Sequence, residues 1–185
     1  MTAIETLMTE HRLIEQLLSA LGSLAGRLEA KREAPPDLLG ELLDLFQQYA
    51  DGLHHTKEER HLFEIAVDRE AMSEDTAVRA LIHQHEVGRT HVQDMRRELG
   101  RMGAGDKYAA AALASSARVY IELLREHIRA EDEDVFPLLA QVLSAEKDAR
   151  LAAHFTDIDL AQRAADLQAR AEALLARVAS LSLNG

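Results

Sequence analysis

Leu53-His54-His55-Thr56-Lys57-Glu58-Glu59 and Glu126-His127-Ile128-Arg129-Ala130-Glu131-Asp132 are two versions of one pattern. Each sets a histidine four residues before a glutamate, and a phenylalanine, Phe63 or Phe136, follows nine positions after the histidine. Residues i and i+4 stack on one face of an α-helix, so both stretches read as helices carrying an imidazole and a carboxylate side by side. Each is preceded by a segment with its own histidine, His11 or His85. His11 and His54 are 43 positions apart, and His85 and His127 are 42 apart. An antiparallel helix pair used twice gives this arrangement.

Outward from these stretches, apolar spacing predicts five helical segments. Segment A runs from about Ile4 to Glu29 and is stopped by Arg32 to Pro36, where Pro35-Pro36 cannot continue a helix. Segment B covers about Asp37 to Arg69. Segment C starts near Ser73 and ends near Met102, before the turn Gly103-Ala104-Gly105-Asp106. Segment D extends to about Leu143, with Pro137 as a kink point. Ser144 serves as N-cap of an Ala-rich fifth segment over Ala145 to Leu181. The fold class expected is all-α: an antiparallel up-down four-helix bundle over residues 1–143. An additional C-terminal helical segment, 144–185, would pack on the bundle or form a homodimer with a partner subunit.

The composition agrees with helices and narrows the function. The 185 residues suit one domain, aromatics are 4%, and there are three prolines. There is no cysteine, which excludes disulfides, thiolate metal sites and thiol nucleophiles. A formal charge of -11 repels phosphate backbones and anionic lipid, so neither nucleic acid nor a membrane is expected as partner. No apolar run approaches membrane length. Met1 to Glu10 is amphipathic and acidic, unlike a secretory signal, so the expected location is cytoplasmic. Nine histidines in a cysteine-free chain are the compositional oddity.

Four of the nine fall at one height. With the A–B turn centred near Glu33 and the C–D turn near Asp106, each hairpin brings its two histidines level, at about 1.5 Å rise per residue. They also face inward. Segment A has the stripe Leu7, His11, Ile14, Leu18, Leu21, and segment C has Val78, Leu81, His85, Gly88, Val92, Met95, Leu99. Segment B has Ala50, His54, Glu58, Leu62, Ile65, and segment D has Leu123, His127, Glu131, Val135, Leu138. His55 and Glu59 instead align with Gln48, Asp51 and Gly52, a polar line, so His55 reads as a supporting or surface residue. Glu59 and Asp132 read as solvated, as do Glu15 and the remaining histidines His61, His83, His91 and His154. Tyr49 and Tyr120 read as packing residues, with a hydrogen bond to a metal's oxygen ligand as the alternative. Gly88 reads as close helix packing or as room for a gas-sized ligand.

Two glutamates buried among apolar side chains are costly unless cations offset them. Imidazole and carboxylate together suit divalent or trivalent metals. The candidate metal ligands are therefore His11, His54, Glu58, His85, His127 and Glu131.

The set His11, His54-x-x-x-Glu58, His85, His127-x-x-x-Glu131 resembles the hemerythrin-like family, the HHE cation-binding domain. Lys57-Glu58-Glu59 before Leu62-Phe63, His85-Glu86-Val87-Gly88-Arg89 and Val135-Phe136-Pro137 are similar to the family as well, and the resemblance covers about Ile4 to Leu143. It implies two iron ions with an oxo or hydroxo bridge, Glu58 and Glu131 bridging them, and two imidazoles on each. Zinc or manganese is the alternative metal. Oxygen-carrying hemerythrins resemble this chain less: where Arg89 stands they have another histidine, and where Glu131 stands they use Asp. The resemblance implies metals with open positions and a small gaseous or peroxide ligand: O2, peroxide or nitric oxide. The expected function is a di-iron protein that binds or turns over such an oxidant. The alternatives are a non-enzymatic metal- or oxygen-dependent sensor and a metal-free structural bundle.

Overall fold

The computed structural model describes residues 1–64 and 77–183. The expected end of segment B at Arg69, its inward Ile65 and the start of segment C at Ser73 lie outside these residues. Among the described residues every regular element is helical. Helix α1 (Ala3–Glu29) opens on a capping box: the Thr2 hydroxyl accepts from the Glu5 N–H at 3.1 Å, and the Glu5 carboxylate accepts from the Thr2 N–H at 2.8 Å. Helix α2 (Pro36–Leu45) starts on a proline, whose missing N–H costs nothing at a first helical position.

The helix then widens. Phe46–His55 and Glu58–Leu62 wind as π-helix. Gly52 lies inside the first of these stretches, where a Cβ would come within 3.2 Å of the Gln47 carbonyl oxygen. Helix α3 (Ala77–Gly103) ends before Gly105, whose φ of 84° is open to glycine at no steric cost. Helix α4 (Ala109–Ala130) passes through a π-helical turn, Glu131–Val135, into α5 (Phe136–Val142). That turn absorbs Pro137, which cannot donate to the preceding turn. It also shifts the register: Leu138, expected inward, is 52% exposed, while Leu139 takes the core position at 1%.

Ser144 caps α6 (Ala145–Ala161), accepting from the Lys147 N–H at 3.3 Å. The single fifth helix expected from composition is broken at Gln162-Arg163, where Arg163 adopts φ 55°, and α7 (Ala164–Leu183) follows.

Helices α3 and α4 pack along each other, α1 packs on α4, and α7 lies against α1 and α2. Two apolar cores result among the described residues. The larger joins Leu21 and Leu24 of α1, Leu39 and Leu42 of α2, Met95 of α3 and Leu113 of α4 with Ala171 and Leu174 of α7. The smaller joins Leu7, Leu62, Phe63, Leu81, Phe136 and Leu139 with Leu151 and Phe155 of α6. At about 1.5–3 kcal/mol for each buried large side chain, these cores can offset the cost of a polar layer. That layer lies between them. Along α1, Leu7 belongs to one core and Ile14 to the other, with His11 between. The same interruption falls between Leu53 and Leu62, Leu81 and Val92, and Leu124 and Val135.

Candidate metal centre

The interruption contains His11, His54, Glu58, His85, His127 and Glu131, all buried. It also contains His55. The sequence places His55 at the rim because an α-helix turns about 100° per residue. In the wider π turns both His54 and His55 reach the interior, at 1% and 5% exposure. The His55 ring stacks on His85, centroids 3.7 Å apart at 11°.

Four of the rings are held in the same way, with Nδ1 outward on a side-chain oxygen. His11 Nδ1 is 2.8 Å from Asp132 Oδ1, His54 Nδ1 2.9 Å from Glu10 Oε2, His85 Nδ1 2.7 Å from Glu59 Oε1 and His127 Nδ1 2.9 Å from Gln84 Oε1. A proton on Nδ1 donates in each, which turns the Nε2 lone pair inward. His55 Nδ1 sits 3.4 Å from Asp51 Oδ1. Arg89, where oxygen carriers have a further histidine, ties these acceptors together. Its Nε donates to Asp51 at 2.6 Å and its Nη2 to Glu59 at 2.7 Å.

Sequence reasoning missed these acceptors, although the repeat carried a signal for them. Glu10 and Gln84 each precede the histidine of their helix and hold the histidine of the facing HxxxE segment. Glu59 and Asp132 each follow the candidate bridging glutamate and hold the histidines of α3 and α1. Both were expected in solvent; their side chains are only 25% and 14% exposed. Tyr49 and Tyr120 are buried, Tyr120 meeting Phe46 edge-on at 5.1 Å. Glu15 is 40% exposed and pairs with Arg12, His83 is 74% exposed, and His61 stacks on His154 at 5.4 Å, away from the centre.

The inward atoms form two overlapping groups. Donor atoms of His11, His54, Glu58 and Glu131 lie within 4.8 Å of one another, and so do those of His55, Glu58, His85 and His127. Glu58 spans both groups: Oε1 is 3.1 Å from His54 Nε2, and Oε2 is 3.5 Å from His85 Nε2. Glu131 Oε2 lies 3.3 Å from His11 Nε2 and 3.2 Å from His127 Nε2.

These atoms fit a cation. Both oxygens of Glu58, both of Glu131 and Nε2 of His11 are buried with no hydrogen-bond partner. Leaving such groups unmet costs about 1–3 kcal/mol apiece, and more for charged ones. The Nε2 atoms of His85 and His127 face each other at 2.9 Å with both Nδ1 positions committed outward. Two lone pairs at that distance repel unless a proton or a metal ion meets them.

Without a metal ion, charge on the His54 and His11 imidazoles meets the buried carboxylates. Burial pushes the Glu58 carboxyl up, yet the His54 imidazolium and its neighbours hold it at about 2. Burial and the Glu58 charge push Glu131 up, and His127 and His11 override them, leaving it lowered. Burial pushes His54 down, but Glu58 and Glu10 raise it to about 10. Burial opposes charge on His11 too, and Asp132 and Glu131 raise it. His55 goes the other way, far down, through burial and the neighbouring His85. It stays neutral with ring nitrogens available.

A cavity of about 170 Å³ reaches this layer beside His55, lined by the apolar Phe46, Gly88, Val92, Tyr120 and Leu124 and by the polar Gln47, Asp51, Arg89, Gln93 and Arg96. A Cβ on Gly88 would meet Leu124 and Tyr120 at 3.5 Å, an ordinary contact. Helix packing therefore does not demand glycine there, and its absent side chain leaves the space open.

A helical bundle whose polar layer offers two overlapping sets of nitrogen and oxygen donors is a cation-binding protein. The chain belongs to the hemerythrin HHE cation binding domain family, whose model matches residues 2–139. It is 29% identical over 156 residues to the uncharacterized proteins Rv1995 of Mycobacterium tuberculosis and Mb2018 of Mycobacterium bovis, a match covering 84% of this chain. The chain spans about 60% of the length of these curated relatives. No solved structure matches it. No helix among the described residues is long and apolar enough to cross a membrane.

Proposed function

We propose that this chain is a di-iron protein that binds or turns over a small oxidant: O2, peroxide or nitric oxide. Its bundle is the antiparallel four-helix arrangement of residues 1–143, covered by the extension 144–185, and it works in the cytoplasm. The carrying observation is the pair of donor groups that share Glu58, with four carboxylate oxygens and a ring nitrogen buried and unpartnered.

In this reading one iron is held by His11, His54, Glu58 and Glu131, and the other by His55, Glu58, His85 and His127. Glu58 and Glu131 lie between the two positions. Two irons held there supply redox chemistry and open coordination to a small ligand. The protein supplies the rest. Asp132, Glu10, Glu59 and Gln84 fix which ring nitrogen points inward, and the two apolar cores exclude water from above and below. The cavity beside Gly88 gives a small neutral ligand an approach on the His55 side, past the polar groups of Asp51 and Arg89. Imidazole and carboxylate donors also accept zinc or manganese, so the metal has to be measured.

The test is metal analysis and an optical spectrum of protein from iron-replete cells, followed by peroxide and nitric oxide consumption assays. Two irons per chain with charge-transfer bands support the reading. One zinc per chain refutes the redox assignment, and consumption at free-iron rates refutes turnover while leaving binding. A second reading, a metal-dependent sensor, is favoured by the contact between α6 and the Lys57–Glu10 pair beside His54.

A further inference from the structure

Lys57 is fully buried, between the candidate ligands His54 and Glu58 in sequence, and it does not enter the metal layer. Its ammonium donates to Glu10 Oε1 and, at 2.5 Å, to Asp159 Oδ1 of α6, with the Phe155 ring 5.5 Å away. The other Glu10 oxygen accepts from His54 Nδ1 at 2.9 Å. A continuous line of charge-assisted hydrogen bonds thus joins α6 to an inward-pointing imidazole: Asp159, Lys57, Glu10, His54. The opposite half lacks it. There Gln84 holds His127 without a charge, and the position corresponding to Lys57 is Ala130. Asp159 also lies beyond residue 139, where the match to the family ends.

We propose that Asp159 is a positioning residue for the metal centre, and that the C-terminal helices and metal occupancy reinforce each other through this line. An isolated ammonium in an apolar interior needs two carboxylates here, one from each side. With Asp159 in place, Lys57 is held against Glu10, Glu10 is held against His54, and the ring presents Nε2 inward. Partners that orient a ligand in this way are typically worth about 10–100-fold in metal affinity. Asp159 acts one step further out, so about three- to tenfold is expected. Coupling is reciprocal: a metal that gains affinity from the docked α6 must protect α6 in return.

The inference rests on the proposed metal site, and Zn2+ binding by chelator competition, free of any redox assay, separates the two. Wild-type protein that fails to bind Zn2+ tightly at two positions overturns the site itself. With the site intact, Asp159→Asn should weaken Zn2+ about three- to tenfold, Asp159→Glu should restore most of the loss, and Asp157→Asn, exposed on the same helix, should change nothing. Hydrogen exchange across residues 145–161 should slow on metal binding in wild type and less so in Asp159→Asn. If Asp159→Asn folds poorly because Lys57 is stranded, the double variant Lys57→Met/Asp159→Asn removes the stranded charge. It should fold and still bind Zn2+ weakly, since Glu10 has lost its anchor. Wild-type affinity in that double variant, or exchange in 145–161 indifferent to metal, overturns the proposal.

Discussion

Replacing His55 by Ala is the sharpest test of how the two metal positions divide their ligands. Its ring is 5% exposed, stacks on His85 with centroids 3.7 Å apart, and its donor atom belongs to the group with Glu58, His85 and His127. If His55 binds the metal, the variant leaves three protein donors at that position. Loss of a ligand costs at least the upper end of what an orienting partner costs, about 100-fold in affinity, or about 2.7 kcal/mol. Metal bound to the folded state stabilises it by mass action. For a chain of this size about 1 kcal/mol moves Tm by about 2–4 °C. The gap in melting temperature between metal-loaded and metal-free protein should therefore shrink by about 5–10 °C in His55→Ala. Removing the buried ring also costs the metal-free protein packing energy. That cost falls on both forms, so the gap, not either Tm alone, is the observable. Differential scanning fluorimetry with Zn2+ or Co2+ gives the gap, and equilibrium dialysis gives the stoichiometry. An unchanged gap with two ions per chain would falsify ligation by His55 and return it to a packing role.

Metal affinity should rise with pH through neutrality. The metal-free site carries a proton on His54, whose value is raised to about 10, and binding must displace it; a chelator competition flat between pH 6 and 9 sinks this account. The metal-free protein should itself lose stability towards both ends of the pH scale, and His55, held neutral, should add to the loss as pH falls below 6.5. The His54 contribution is full below its ordinary value of 6.5 and is lost as pH rises through about 10, while the Glu58 contribution is full above 4.5 and is lost as pH falls through about 2. Chemical denaturation across pH reads both limbs. Gly88→Ala should raise stability by about 1 kcal/mol, since a mid-helix glycine costs that much and the new methyl fits. Gly88→Leu should instead fill the cavity and slow azide binding to the iron-loaded protein at unchanged metal content, and equal rates count against the approach route. Gln84→Glu places on His127 the charge that Glu10 places on His54, so the reduction potential should fall; a potentiometric titration that finds no shift removes the outer carboxylates from the electronics of the site.

The helices, their turns at Pro35-Pro36 and Gly105, the cap at Ser144 and the convergence of six donor residues were legible from spacing alone. Periodicity suffices there because α1, α3 and α4 are wound as regular α-helix throughout. It failed where the winding changes. Leu138 and His55 were both placed by a 3.6-residue period, and each lies in or just past a π-helical stretch that the period cannot represent. Glu59 and Asp132 were read as solvated because acidic runs usually are. Their part appears only when a ring nitrogen on another helix is known to face them. The break at Gln162-Arg163 has no turn residue to announce it, and Arg163 adopts φ 55° without being glycine. Nothing in the apolar pattern of 145–181 links Asp159 to Lys57, since that pairing is set by how α6 crosses the bundle.

The π-helical stretch at Phe46–His55 hides surplus chain inside a helix. Wound as ordinary α-helix at the same length, this stretch would turn everything beyond it by about 100° for each surplus residue against everything before it. Either Leu39 and Leu42 would keep their seats among the leucines of α1 and α7, or His54 and Glu58 would keep theirs; one straight rod cannot serve both. The wider winding is thus a gear between two incompatible periodicities, one suited to leucines and one to ions.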